Sequence, residues 1–258
     1  MGAALAVLMN PSPVPSIAQA LLEAHRTGIP ADDIQLVLDD AGDAYAVQER
    51  VYEALAGQPV PACRAWKSGG PSRAAALTHS PLPPGGIVQS GDLVPGASPL
   101  IEAEIALRLA RDVDPQEAAQ ISIDEAMRCI DAMCVTIELV GFRWRRGADA
   151  PALHKLADFQ SHAGLVVGAF ERFAPRDWAA QACRVRIDGS EQEFRGTHSL
   201  GDPAWLLPQW MRHASSRTGV LVRGTLVTTG TWCGLLHARS GSLVEVHFAG
   251  VGAAVVQL

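Results

Sequence analysis

The sequence predicts an α+β fold in which a short helical segment precedes a sheet-rich core. Two amphipathic patterns lie before Gly57, and their apolar residues recur at helical spacing. From Pro61 onward the composition shifts toward Gly, Pro and Ser, and much of the later chain alternates as β-strands do, most clearly over residues 100–109. The chain is therefore divided into an N-terminal helical segment, residues 1–60, and a core, residues 61–258.

The two N-terminal helices have recognisable beginnings and ends. The first is predicted over Ser16–Thr27, with Ser16 as its cap and Gly28 as its stop. The second is predicted over Asp43–Leu55, with Asp43 as its cap. Neither helix carries side chains that indicate chemistry, so the pair is interpreted as a cap or edge layer.

The core combines further helices with several strands. Helical spacing recurs over Ile123–Met133, Leu153–Gln160 and Asp202–Arg217. Pro208 lies inside the last of these and predicts a kink. The predicted strands are Ala62–Lys67, Gly86–Val88, Leu100–Leu109, Cys134–Val140, Gly164–Phe170, Leu226–Thr229, Leu243–Phe248 and Ala253–Gln257, with a hairpin at Asp188-Gly189.

Composition disfavours several classes of protein. A formal charge of −6 makes a nucleic-acid backbone an improbable partner. No apolar run reaches the roughly 20 residues of a membrane helix, and the apolar start, Met1–Met9, lacks a basic leader, so no signal peptide is expected. The five cysteines form no metal-binding or disulfide pattern, which is typical of reduced thiols in the cytoplasm.

The strand predicted over Leu100–Leu109 carries Glu102 and Glu104 two positions apart. Side chains at this spacing share one face of a strand, so both carboxylates project together, opposite an apolar face. Adjacent buried carboxylates repel each other unless positive charge lies between them, and a hard divalent cation prefers carboxylate oxygen. The pattern indicates either a cation site or a solvated face of a strand or helix.

Two further charged residues are candidates for the same site. Glu138 lies inside an apolar, β-prone run and therefore needs a partner. That partner is either Arg143 or Arg145 in the next turn, or the cation bound by the first two glutamates. Lys67 precedes a glycine-containing loop that permits close approach of the backbone to a ligand, although a lone lysine in a loop is commonly solvated.

Six short stretches stand in an order that is typical of one enzyme family: Asp43–Gln48 (DAYAVQ), Trp66-Lys67, Ile101–Ala106 (IEAEIA), Ile137–Leu139, Thr228–Thr231 (TTGT) and Val246–Gly252. Together they resemble the 2-keto-4-pentenoate hydratases and 2-oxo-3-hexenedioate decarboxylases of the fumarylacetoacetate hydrolase superfamily. The resemblance implies that superfamily's mixed β-sheet roll, preceded by a helical segment. It also implies a bound divalent metal, Mg²⁺ or Mn²⁺, and a small 2-oxo acid as substrate.

The resemblance further assigns roles to individual residues. It places the metal on Glu102, Glu104 and Glu138, and it implies Lys67 and Asp158 as catalytic residues. The implied substrate-binding residues are Asp92, Ser161 and Thr231. The chain departs from the family pattern after Lys67, around Asp92, at Gly141-Phe142 and within Ala157–Ser161, which leaves the substrate open.

The implied reaction is addition of water to a short 2-hydroxy-2,4-dienoate or 2-oxo-alkenoate, giving a 4-hydroxy-2-oxo acid in the catabolism of aromatic compounds. A metal that stabilises negative charge on the 2-oxygen would also serve decarboxylation of a 2-oxo-3-enoate or hydrolysis of a C–C bond in an acylpyruvate. Hydrolysis is the second choice after hydration, ahead of decarboxylation, and it calls for a base near the metal, for which His79 and His162 are candidates. A catalytically silent 2-oxo-acid-binding protein is the remaining alternative. Relatives generally assemble, so a homo-oligomer is expected.

Overall fold

A computed structural model describes residues 12–32 and 34–258 of the chain. The prediction that the chain has no signal peptide rests on the apolar start Met1–Met9, which lies outside these residues. None of the described helices has both the length and the apolar character needed to cross a membrane. The helices are α1 (Val14–Thr27), α2 (Ala41–Ala56), α3 (Pro115–Gln120), α4 (Ile123–Arg128), α5 (Ala152–Ala157) and α6 (Leu207–Thr218).

The strands of the described residues form two sheets. They are β1 (Ala65–Gly69), β2 (Thr78–Pro81), β3 (Ile87–Gln89), β4 (Leu100–Leu109), β5 (Ile130–Val140), β6 (His162–Arg172), β7 (Ala182–Ile187), β8 (Ser190–Arg195), β9 (Leu226–Thr228), β10 (Leu236–His237), β11 (Leu243–Phe248) and β12 (Gly252–Gln257). The first sheet has the order β2-β1-β9-β4-β5-β6-β3, with β10 on β4, and the second has the order β12-β11-β7-β8. Parallel β1–β9 and β3–β6 pairs make the first sheet mixed. The predicted α+β class is confirmed.

The N-terminal helices form as predicted, but both begin earlier than expected. Ser16 lies inside α1 instead of capping it, and its hydroxyl donates to a backbone carbonyl of the preceding turn. The side chain of Asp40, not Asp43, caps α2, because its carboxylate accepts the backbone N–H of Asp43 over 3.0 Å. Gly28 ends α1 in a left-handed conformation, as predicted.

Three predictions about later helices were wrong in their extent. The helix expected over Leu153–Gln160 ends at Ala157. The helix expected over Ile123–Met133 stops at Arg128, and residues from Ile130 onward join β5, where pairing with β4 and β6 outweighs the local helical pattern. The helix expected over Asp202–Arg217 is a short 3₁₀ turn followed by α6. Pro208 therefore lies in the first turn of α6, where its missing N–H costs nothing, and causes no kink.

The two faces of the first sheet meet different surroundings. One face supplies residues such as Ile101 and Ile137 to the main hydrophobic core, to which the second sheet and helices α1 and α2 also contribute. The helical segment thus shares its core with the rest of the chain, and a domain boundary near residue 60 stays a prediction. The opposite face carries a smaller apolar cluster of Ala65, Leu82, Ala106, Cys134, Leu165, Val167 and Leu226.

The two sheets approach each other closely at Gly168 of β6. A Cβ atom at this position would lie 2.6 Å from the carbonyl oxygen of Ala253 and 2.8 Å from that of Val135. Both oxygens belong to strand backbones, so neither can move without shifting a whole strand. Packing of β12 across β5 and β6 therefore requires glycine here.

Substitution of Gly168 should consequently destabilise the fold. We expect Gly168→Ala to lower the free energy of unfolding by about 1–3 kcal/mol or more, as overpacking does, in a urea titration. Gly85→Ala is the matched control, because its Cβ would meet no atom within 4 Å, and it should change that free energy by less than about 0.5 kcal/mol. Equal stability of the two variants would contradict the close approach of the sheets.

Candidate active site

Strand pairing brings three carboxylates together on the face that carries the smaller apolar cluster. Glu102 of β4 lies directly opposite Glu138 of β5, and Glu104 lies two residues further along β4. One oxygen of each carboxylate lies within 4.8 Å of the other two. Glu104 and Glu138 are fully buried, whereas Glu102 is partly exposed. We call these three residues the acidic triad.

Glu104 is fixed by the end of β9. The backbone N–H of Gly230 donates to Glu104 Oε2 over 3.0 Å, and the hydroxyl of Thr228 donates to the same oxygen. Thr228 also shares a hydrogen bond of 3.1 Å with the hydroxyl of Thr136 on β5. Glu104 Oε1 is buried and has no hydrogen-bond partner among the described residues. A buried carboxylate oxygen without a donor is costly, and it fits a ligand atom of a hard cation.

Glu138 is bound by two donors, and neither is one of the arginines considered from the sequence. Lys67 Nζ lies 2.7 Å from Glu138 Oε1, and His162 Nδ1 lies 3.2 Å from the same oxygen. Arg143 and Arg145 form other ion pairs. Glu138 Oε2 is buried and, within the described part of the chain, unpartnered. The residues present therefore fit a divalent cation held through one oxygen of each buried glutamate.

The charges of the triad pull the pKa values of its members apart. Burial, reinforced by the charge of Glu138, raises the pKa of Glu102 to about 7 and that of Glu104 to about 8. Burial also acts to raise the pKa of Glu138, but Lys67 and His162 outweigh it and lower that pKa to about 2. Burial opposes the charge of Lys67, yet the three carboxylates raise its pKa overall. Lys67 and Glu138 are therefore an ionised pair, whereas the carboxyl groups of Glu102 and Glu104 titrate near neutral pH.

A turn with strained backbone lies against Lys67. Phe159, Gln160 and Ser161 have φ values of 48°, 55° and 65°, in the left-handed region that side chains disfavour. The carbonyl of Gln160 accepts from Lys67 Nζ over 3.2 Å, and its side-chain oxygen accepts from Thr78 over 3.1 Å. Such backbone costs of order 1–3 kcal/mol per residue and is concentrated at functional sites. We call residues 159–161 the left-handed turn.

Asp158, predicted as catalytic, lies in a buried ion pair at the base of the left-handed turn. Arg143 Nε donates to Asp158 Oδ1 over 2.5 Å, and the backbone N–H of Arg143 donates to Oδ2 over 3.1 Å. The two side chains are only 9% and 1% exposed. The carbonyl of Asp158 accepts the N–H of Ser161 over 2.8 Å. The carboxylate is thus bound to Arg143, and Asp158 supports the turn.

The three predicted substrate-binding residues occupy different places. Ser161 ends the left-handed turn and directly precedes His162. Thr231 follows the glycine that binds Glu104, and its hydroxyl donates to the carbonyl of Gly234 over 3.1 Å. Asp92 is exposed, and its carboxylate accepts the backbone N–H of Gln89 over 2.9 Å. The structure places Ser161 and Thr231 next to residues that bind the triad, and Asp92 in its own turn after β3.

The two histidines considered as bases are also separated. His79 Nδ1 lies 2.9 Å from the hydroxyl of Ser68, and its ring packs on that of His213 with centroids 4.6 Å apart. Ser68 follows Lys67 on β1 and therefore projects from the opposite face of the sheet. His162 contacts the triad directly, through Nδ1.

Sequence reasoning missed three parts of the site: Gln160 as a partner of Lys67, Thr228 as a donor to Glu104, and Arg143 as the partner of Asp158. The role of Thr228 as a donor to Glu104 could have been predicted from alternation along β9 if the strands beside β9 had been known. The left-handed turn has no such signal, because Phe, Gln and Ser are not residues that favour positive φ.

The fold and the acidic triad together define a mixed-sheet protein with a buried carboxylate cluster suited to a cation. The sequence matches the fumarylacetoacetate (FAA) hydrolase C-terminal family over residues 76–258, and the chain belongs to that family. Among curated proteins, none matches it.

Solved structures share the fold at low sequence identity. The 4-oxalocrotonate decarboxylase from Pseudomonas putida G7, complexed with magnesium and adipate, is 17% identical, with a TM-score of 0.78 over 95% of this chain and 96% of that one. A 2-hydroxyhepta-2,4-diene-1,7-dioate isomerase from Mycobacterium marinum is 20% identical, with a TM-score of 0.56 over 77% and 75% of the two chains. The fumarylpyruvate hydrolase from Pseudomonas aeruginosa, in complex with Mn²⁺ and pyruvate, is 16% identical, with a TM-score of 0.54 over 75% and 88%.

Removing one member of the buried ion pair under the left-handed turn should be strongly destabilising. Asp158→Asn leaves the guanidinium of Arg143 buried without its counter-charge, so we expect the free energy of unfolding to fall by about 3–5 kcal/mol in a urea titration. The exposed Arg145–Asp32 pair provides the control, and Asp32→Asn should cost less than about 1 kcal/mol. Similar losses in both variants would show that burial of the Arg143–Asp158 pair has no special weight.

The raised pKa values of Glu102 and Glu104 predict how stability depends on pH. Both lie above the value in an unfolded chain, so the stability these groups give the metal-free protein is full at acidic pH and is lost as pH rises through about 7 and 8. A cation competes with the same protons. Added Mg²⁺ should therefore raise the melting temperature more at about pH 9 than at about pH 6, against a chelator control. An equal increase at both values would contradict this electrostatic assignment.

Proposed function

We propose that the acidic triad binds Mg²⁺ or Mn²⁺ and that the protein is a hydro-lyase acting on a short 2-hydroxy-2,4-dienoate. The observation that supports this best is the pairing of the triad with an ionised lysine. Glu104 Oε1 and Glu138 Oε2 are buried and lack donors among the described residues, and Lys67 Nζ lies 2.7 Å from the other oxygen of Glu138. Structures of the same fold hold magnesium with adipate or Mn²⁺ with pyruvate. Two proteins of this fold are thus known in complexes that contain both a divalent ion and a carboxylic acid.

Each part of the site has a role in this proposal. A cation held by the triad supplies Lewis-acid stabilisation of negative charge on the 2-oxygen of the substrate. The ammonium of Lys67 has three N–H donors. Glu138 and the carbonyl of Gln160 bind two of them, which leaves one to orient the substrate carboxylate or to move a proton at C3 or C5. Ser161 and Thr231 would hydrogen-bond to substrate or to the water that adds.

The overall reaction balances with water as the co-substrate. The 2-hydroxyl loses its proton and C5 gains one, which converts the dienol to a 2-oxo-3-enoate whose 2-oxygen is a ketone. Water then adds its oxygen to C4 while C3 gains a proton, giving the 4-hydroxy-2-oxo acid. Asp158 does not touch the substrate in this scheme. It positions the left-handed turn, and through Gln160 it positions Lys67.

Decarboxylation of a 2-oxo-3-enoate is the second candidate. The decarboxylase of similar fold is matched over 95% of this chain, which includes the N-terminal helices, whereas the isomerase and the hydrolase are matched over 77% and 75%. Acylpyruvate hydrolysis ranks third, because His162 presents Nδ1 to Glu138 and leaves no basic nitrogen facing the triad. A silent 2-oxo-acid-binding protein remains the non-catalytic alternative.

The test is turnover of 2-hydroxypenta-2,4-dienoate by chelator-stripped protein, with and without added Mg²⁺ or Mn²⁺. We expect metal-dependent loss of the dienol absorbance, with 4-hydroxy-2-oxopentanoate as product. Glu102→Gln should lower the rate at least about 100-fold, since it removes an anionic metal ligand, while the protein stays folded. Glu193→Gln, at an exposed residue of β8, is the charge-matched control and should keep full activity.

Other outcomes separate the alternatives. Release of CO₂ from 2-oxo-3-hexenedioate without hydration of the dienoate would favour the decarboxylase. Full activity of Glu102→Gln without metal would contradict the role of the triad.

A further inference from the structure

Strand β8 (Ser190–Arg195) forms one edge of the second sheet, where it pairs with β7 alone. A two-residue turn joins the two strands, and Asp188 and Gly189 have φ values of 49° and 84°, as a type I′ turn requires. Such a turn is closed by a hydrogen-bonded pair, so the even-numbered residues of β8 bond to β7. The N–H of Gly196, which donates to the carbonyl of Gln181 over 3.0 Å, continues this alternation. The odd-numbered residues therefore point their main-chain groups away from β7.

Three exposed residues thus present main-chain N–H and C=O groups at the open edge: Glu191, Glu193 and Arg195. Within the described part of the chain, none of these groups makes a hydrogen bond outside the strand ladder. A row of unpaired N–H and C=O groups is a template for another strand. The strand contains no proline, which would remove one of these donors.

The opposite edge of the same sheet is covered by the chain itself. Along β12, the N–H of Gly91 donates to the carbonyl of Val255 over 2.8 Å, and the N–H of Val94 donates to that of Gln257 over 2.9 Å. Residues 90–94 therefore cover β12 much as a further strand would. No segment of the described residues covers β8 in this way, so a strand that pairs with it comes from another chain.

The charges at the open edge favour a second copy of this chain as that partner. Charged side chains commonly keep sheet edges apart by repulsion, but β8 carries both signs in an order that complements itself. A two-fold axis perpendicular to the sheet at Glu193 makes two copies of β8 antiparallel. Glu191 of each copy then lies opposite Arg195 of the partner subunit, and all the outward main-chain groups of both strands are paired.

The two copies of Glu193 meet at this axis, where each carboxylate is already neutralised within its own chain. Arg184 Nε lies 2.8 Å from Glu193 Oε2, and Arg195 Nη2 lies 2.7 Å from Glu193 Oε1. An axis at Gln192 would instead place Glu191 opposite Glu193, and like charges directly opposite are destabilising. An axis one residue beyond Glu193 would leave the main chain of Glu191 unpaired. The axis at Glu193 is therefore the favoured register.

We propose that β8 is a homodimer interface, in which two copies of the chain join their second sheets edge to edge about a two-fold axis at Glu193. Main-chain hydrogen bonds hold the strands together, and the Glu191–Arg195 pairs select the register and exclude other partners. The interface contains no member of the acidic triad, so it does not depend on the proposed hydro-lyase reaction.

Charge reversal tests the complementarity. Glu191→Arg and Arg195→Glu each place like charges opposite across the axis, so each variant should self-associate at least about tenfold more weakly than the parent chain in sedimentation velocity. Mixed in equal amounts, with one variant carrying a fluorescent label, the two should associate again, because every reversed charge meets its opposite. A misfolded variant would not be rescued by mixing. Arg172→Glu, at an exposed residue of β6, is the matched control and should associate as the parent does.

A cysteine at the axis tests the register directly. In Glu193→Cys, the two introduced residues would face each other with Cα atoms about 5.5 Å apart, a separation that a disulfide spans. Mild oxidation should therefore yield a covalent dimer on a denaturing gel. Ser190→Cys, exposed on the same strand, should remain a monomer there, because it would lie opposite residue 196 of the partner subunit. The parent chain, with its five native cysteines, gives the baseline.

The proposal is overturned if the parent chain sediments as a monomer over the whole concentration series, or if the charge reversals associate as Arg172→Glu does. It is also overturned if the mixed variants stay apart, or if Glu193→Cys cross-links no better than Ser190→Cys. Because no turnover is measured, failure of the hydro-lyase proposal would leave these outcomes unchanged.

Discussion

Repulsion among three carboxylates on one sheet face, two of them fully buried, is the constraint on which the rest of the structure depends. Glu102 and Glu138 face each other across the β4–β5 pair, and Glu104 is completely buried. Uncompensated charge of this kind costs several kcal/mol per group. One lysine, two backbone or hydroxyl donors and one imidazole offset part of that cost. Lys67 neutralises one charge only, so the remainder must be met by protons or by a cation, and the raised pKa values of Glu102 and Glu104 describe the first case.

The sheet can carry this charge because its two faces are used differently. One face belongs to the main core, where Gly168 allows the second sheet to pack closely, and this supplies stability that does not involve the site. On the other face, Glu102, Glu104, Thr136 and Glu138 lie beside an apolar cluster. Ala106 and Cys134 lie further along β4 and β5, and Leu165 and Val167 lie on β6 opposite Glu138 and Thr136. The apolar cluster keeps water from the buried side of the triad, which strengthens every interaction there.

Local patterns predicted the parts of the site that depend on one strand, and failed for those that depend on pairing between distant strands. Alternation predicted that Glu102 and Glu104 share one face of a strand, and the apolar run around Glu138 indicated that this residue needs a partner. The sequence analysis considered Arg143, Arg145 or a cation as that partner, and finding Lys67 instead required the order β1-β9-β4-β5, which no local pattern contains. For the same reason the helical spacing of Ile123–Met133 gave way to β5, and the very short strands β2 and β10 were not predicted. The left-handed turn arises from tertiary contacts at residues that do not favour it.

A continuous chain of contacts joins Arg143 to the triad, and it separates two properties of the site. Arg143 binds Asp158, Asp158 holds the left-handed turn, the carbonyl of Gln160 accepts from Lys67, and Lys67 binds Glu138. The strands alone set the positions of the three carboxylates, so cation binding does not require the turn. The position of the third N–H of Lys67, which is bound neither to Glu138 nor to Gln160, does require the left-handed turn. In the proposed reaction, changes within residues 159–161 would therefore alter where Lys67 delivers a proton while the same cation site persists, which is a physical route by which one fold can serve hydration, decarboxylation and C–C bond cleavage.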